Sequence, residues 1–107
     1  MNSRPLYKKV VIFMLDLTEV KNYIRADDDD DMVLSLMKAS FSYMEGAVDD
    51  FAVKYETLDA NWIAKADLCM KLLVADWYEN RTPMERPTNS AIPLLLAQLQ
   101  LEGVQNV

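Results

Sequence analysis

Histidine is missing from this 107-residue chain altogether, and cysteine occurs once. Without imidazole there is no Ser/His/Asp or Cys/His nucleophile arrangement, and the usual zinc sites lose their commonest ligand. One cysteine excludes an internal disulfide, so nothing points to an oxidising compartment. Cys69 falls inside a helical apolar pattern and reads as core packing. Glycine is nearly as scarce, with two residues beside four prolines, too few turn signals for an all-β chain. Glycine-rich phosphate loops, paired-cysteine zinc patterns and interleaved basic–aromatic stretches are also missing. No apolar run approaches the length of a membrane span. Lys8 and Lys9 precede an apolar run from Val10 to Leu15, but it is too short for an export segment and Asp16 closes it. Cytoplasmic synthesis is therefore the expectation, and the glycosylation-like triplet Asn80-Arg81-Thr82 carries no weight.

What the chain does contain is 51% hydrophobic and 26% charged residues, a composition for one globular domain with a modest core. Acidic residues outnumber basic ones 17 to 11, for a net charge of −6 and a pI near 4.5. Such a surface is not built to hold phosphates, although it can sit beside DNA without adhering to it.

Apolar spacing predicts an all-α fold, a small bundle of three to four helices. The first runs over about 18–25, capped by Thr18, with Val20, Tyr23 and Ile24 on its apolar side. The second runs over about 30–48. Val33, Leu36, Met37, Phe41, Met44, Ala47 and Val48 form one stripe, opposite Ser35, Lys38, Ser42, Glu45 and Asp49. In 49–59 Phe51, Val53 and Tyr55 alternate with polar residues, which fits a short extended piece, an irregular loop or a continued second helix. The third helix runs over about 61–80, capped by Asp59 or Asn61. Its main stripe is Ile63, Ala66, Met70, Leu73, Val74 and Trp77, with Trp62 and Cys69 at one margin. Leu68, Leu72 and Ala75 make a second strip on its far side, so this helix is central to its domain, contacts a second subunit, or both.

Pro83 and Pro87 end that helix and make 82–89 a linker. A fourth helix follows from a Ser90 cap to about Glu102, with Pro93 in its first turn and Gly103 as its stop. Ile92, Leu94, Leu95, Leu96, Ala97, Leu99 and Leu101 surround it with apolar surface. It either caps the core or docks in part on another chain.

Five consecutive carboxylates, Asp27 to Asp31, are the most conspicuous local feature. A helix–loop–helix calcium site needs glycine at its sixth position and glutamate at its twelfth. Counted from Asp27 these are Met32 and Lys38, so the pattern fails. A magnesium-dependent nuclease needs acidic groups converging from separate elements, which adjacent aspartates on one connector do not supply. Capping of the second helix by Asp29 or Asp30, with favourable charge near its N-terminus, accounts for the run. The methionines Met37, Met44 and Met70 read as gap-fillers of the core.

Three stretches, in order, resemble the head–tail connector (head-completion adaptor) proteins of tailed bacteriophages. Residues 14–31, MLDLTEVKNYIRADDDDD, resemble that family's short first helix and acidic link. Residues 72–81, LLVADWYENR, look like the end of its third helix, and 92–100, IPLLLAQLQ, are similar to its last helix. Residues 49–61 match poorly. Family members usually begin where Met14 stands, so 1–13 read either as an extension from an upstream start codon or as an arm.

The resemblance implies a virion protein at the head–tail junction, present in the host cytoplasm during assembly. It implies a ring of about a dozen copies beneath the portal after DNA packaging, a platform for stopper or tail proteins, and DNA crossing the lumen without sequence-specific binding. No enzymatic activity, cofactor, metal or membrane contact is expected. Residues 14–81 would form the connector domain, and 82–107 a linker with a mobile or partner-docking C-terminal helix. Leu68, Leu72 and Ala75 are the candidate subunit contacts; Leu95, Leu99 and Leu101 are the candidates for portal docking. Trp77 and Tyr78 support the fold, and Arg81 suits the helix C-terminus. The alternatives are a small phage-encoded interaction or regulatory module without ring assembly, and a metal-dependent enzyme using Asp27–Asp31.

Overall fold

The computed structural model describes residues 15–80 and 87–105, the last three as backbone only. Every regular element among them is a helix: α1 Leu17–Ile24, α2 Asp30–Ala47, α3 Phe51–Thr57, α4 Ala60–Asn80 and α5 Ala91–Gln105. The count is five rather than three or four. Arg81 and the first linker proline, Pro83, lie outside the described residues, as does the segment before Leu15.

α1 starts one residue earlier than its sequence suggests, because Asp16 is the cap and accepts from the Glu19 amide at 3.2 Å. It ends in a left-handed turn at Arg25 (φ 59), whose N–H donates to the Asn22 carbonyl while the Ala26 N–H donates to that of Lys21. This pair of bonds closes the last turn although no glycine is present. α2 buries its stripe as expected, Val33, Leu36, Met37, Phe41 and Met44, except that Ala47 is exposed. Ser40 is buried on the same side and donates to the Met37 carbonyl at 2.7 Å.

Residues 49–59 resolve as a separate short helix. Asp50 takes a left-handed conformation (φ 56), which aspartate tolerates better than most residues, and it breaks α2 from α3. Phe51 and Tyr55, four residues apart, both turn inward, whereas Val53 is 61% exposed. The alternation that hinted at a strand is a helix showing one apolar residue to solvent. Phe41, Phe51, Tyr55 and Trp62 form an aromatic cluster joining α2, α3 and α4, with neighbouring centroids 5.2–5.9 Å apart.

α4 is the central element and packs on each of the other four helices. Asp59 caps it by accepting from the Trp62 amide at 3.0 Å. Trp62, Ala66, Cys69, Met70, Leu73, Val74 and Trp77 are all buried along it. Trp77 is fully enclosed, edge-on to Tyr43 at 5.7 Å. Tyr78 donates to Asp29 at 2.7 Å, so Asp29 ties α2 to α4 instead of capping α2 with its side chain. α5 is capped by Asn89, not Ser90: Asn89 Oδ1 accepts from the Ala91 amide at 2.8 Å. The helix runs through Gly103 to Gln105.

Candidate docking surfaces

A helix that is apolar all round must place one side against its own domain, and the polar groups around it decide which. The indole N–H of Trp62 donates to the Leu99 carbonyl at 3.0 Å, and Lys65 pairs with Glu102 at 2.5 Å. Gln100 exchanges two hydrogen bonds with Asp49, each 2.9 Å, to its amide and its carboxylate. Upstream, Asp76 accepts from both the amide and the hydroxyl of Thr88. These ties lay α5 antiparallel along α4 with one rotation about its axis.

That rotation sorts the three candidate portal-docking leucines. Leu99 is fully buried, as is Ile92, and Leu95 is half-buried against the core. Leu99 therefore holds α5 to its own domain and presents no surface, which corrects its assignment to docking. Leu101 is 61% exposed. Leu94, which the sequence did not single out, is the most open large apolar residue among the described side chains of the helix, at 68%. Leu94, Ala97, Gln98 and Leu101 are spaced 0, 3, 4 and 7 and share the outer side. The signal for Leu94 was there, as the residue opposite Ile92, Leu95 and Leu99, but it needed to be known which side was inner. That outer side carries no charge; the only ionised residue of α5 is Glu102.

The second strip of α4 divides similarly. Leu68 is 40% exposed, whereas Leu72 is half-buried against the core. Ala75 lines a depression of about 410 Å³ between α1 and α4, with Tyr23, Ile24, Arg25, Tyr78 and Glu79.

The acidic run does not converge. Asp30 pairs with Lys21 at 2.5 Å and raises that ammonium's pKa, chiefly through its hydrogen bond, while Asp29 is turned to Tyr78. Among the described residues no group of three acidic, cysteine or histidine side chains is placed to hold a metal ion. The other polar cluster is internal. Tyr55 is buried and donates to Asp67, with Glu19 and Lys71 close by. Burial pushes both groups upward, the Tyr55 hydroxyl and the Asp67 carboxyl, and Glu19 adds to each. The pair reads as a buried tie between α3 and α4. Burial likewise raises the Cys69 thiol to about 12, which leaves it without nucleophilic character. No helix among the described residues is long and apolar enough to cross a membrane. No family model matches the chain, and neither a curated protein nor a solved structure is similar to it.

Proposed function

We propose that this chain is a head–tail connector of a tailed phage, a ring-forming adaptor that works by contact alone. The ring sits between the capsid portal and the stopper or tail proteins and lines part of the DNA channel. The observation that carries the reading is the outer side of α5. After Ile92 and Leu99 are buried, Leu94, Ala97 and Leu101 still stand free on an uncharged side. Among the described residues nothing covers this stripe, and a partner-docking helix needs one. The three ordered resemblances support the portal as the partner, with Leu101 and Leu94 as the contacting residues and Leu95 at the margin. The net charge of −6 suits a lumen through which DNA slides without adhering.

Co-sedimentation with the portal ring of the phage or prophage that encodes the chain tests this. Wild type should pellet with portal, and L94S/L101S should remain in the supernatant while keeping its thermal melt. Equal pelleting of both would overturn the assignment. Truncation ahead of α5 is a poor substitute, since it also removes Ile92 and Leu99 from the core and uncovers Trp62.

A further inference from the structure

Leu15, the first described residue, is buried and forms one wall of a groove of about 230 Å³ between the start of α1 and the flank of α2. Leu17, Leu34 and Met37 complete its apolar lining, beside Asp16 and Lys38. Leu34 is 39% exposed. The groove continues into a longer surface. Asp31, Leu34, Lys38, Ser42 and Glu45 recur at helical spacing along α2 and are all exposed, which makes one outer ridge with a carboxylate at either end.

The segment that leads into Leu15 fits this surface in apolarity, charge and length. Residues 10–14, VVIFM, are an unbroken apolar run joined directly to the groove wall. Residues 1–14 carry three of the chain's 11 basic residues, Arg4, Lys8 and Lys9, and none of its 17 acidic ones. They are therefore at +3 while the rest of the chain stands at −9. Attachment favours this segment over a separate molecule, because a short tether holds it at an effective concentration on the order of millimolar. Length sets its direction. Extended, the chain from Leu15 back to Lys9 reaches ~20 Å, and α2 rises ~16 Å from Leu34 to Glu45. A segment laid along the ridge toward the end of α2 thus brings Lys8 and Lys9 to Glu45. Laid the other way it overshoots Asp31, which is ~5 Å from Leu34 along the axis.

We infer that residues 8–14 dock on α2 of their own chain, with the apolar run over the Leu34 groove and the two lysines at Glu45. Of the two readings of the N-terminal segment this is the arm, folded back rather than reaching out. It does not depend on the connector reading.

Photo-cross-linking of the full chain tests it, with benzoylphenylalanine in place of Leu34 and an equal mixture of isotopically light and heavy protein. Tandem mass spectrometry should locate cross-links on residues 10–14, joining light to light and heavy to heavy. Light-to-heavy products would put a second copy in the groove and overturn the inference, as would products confined to Leu15 and beyond. Thermal melts supply a second measurement. Leu34→Ser and the pair Ile12→Ser/Phe13→Ser should each lower the melting temperature, and together by clearly less than the sum of the two shifts. Strict additivity, the behaviour of sites that do not touch, would also overturn it. Glu45→Lys should cost more in the wild-type background than beside Lys8→Ser/Lys9→Ser; an equal cost would refute the placement of the lysines.

Discussion

α4 and α5 are both too apolar for a helix with one buried side, and the molecule absorbs the surplus in opposite ways. α4 is in contact with all four other helices, so its main stripe is covered together with Trp62 and Cys69 at its margin. α5 has one principal neighbour, α4 itself. It buries Ile92 and Leu99 and leaves Leu94 and Leu101 more than 60% open. The lesson is that apolar content says how much surface a helix must hide, while the number of its neighbours says how much the chain can hide for it. The deficit is larger on α5, where Leu94 and Leu101 stand open, than on α4, where Leu68 does.

Substitutions that treat the two helices alike should expose this contrast. The largest effect belongs to Trp77→Ala on α4, which opens a cavity in the enclosed core and should cost about 3–5 kcal/mol by urea unfolding. On α5, Leu99→Ala should cost about 2–5 kcal/mol, whereas Leu94→Ala and Leu101→Ala should stay within about 0.5 kcal/mol. A Leu94→Ala loss as large as that of Leu99→Ala would mean the outer side is already packed in the free chain. Smaller again is the tie upstream of α5. Asp76→Ala removes the acceptor for Thr88 and should cost on the order of 1 kcal/mol, with amide exchange quickened in α5 more than in α4. Uniform quickening would show that the two helices open as one unit.

The Asp67–Tyr55 pair supplies a pH test confined to the α3–α4 side. Asp67 titrates above its ordinary value of 3.8 in the fold, mainly through burial. The folded state thus binds its proton more tightly than the unfolded state does. Its contribution to stability is fully present below 3.8 and is lost as pH rises through the raised value. Asp67→Asn keeps an acceptor for Tyr55 and should flatten the stability profile above 3.8. An unchanged profile would place the titration elsewhere. The smallest effect is expected from Lys21→Ala, since the Lys21–Asp30 pair lies at the surface where solvent screens it; the urea midpoint should hardly move.

Legibility in the sequence follows the same division. α2 was readable because its apolar residues fall in a single stripe, and α4 because its stripe is long; of its two candidate caps, Asp59 and Asn61, the structure uses Asp59. α3 was not, since Phe51, Val53 and Tyr55 alternate as a strand would while only Phe51 and Tyr55 turn inward. Ends shifted wherever two capping residues competed, as with Asp16 against Thr18 and Asn89 against Ser90. Of the candidate contact residues, Leu68 and Leu101 are at the surface, and Leu99 is not.

Residue type and local spacing alone determined that the chain is helical, that α2 and α4 carry inward stripes, and that disulfide and imidazole chemistry are excluded. Those properties depend on atoms within a turn of one another or on atoms the chain does not possess. The rotation of α5 was decided only in three dimensions. With leucine on every side, each rotation buries a similar apolar area, so the hydrophobic effect does not choose among them. Directional bonds do: the Trp62 indole reaching the Leu99 carbonyl and Lys65 reaching Glu102 select one side for the core. Leu94 and Leu101 are thereby left open at the surface.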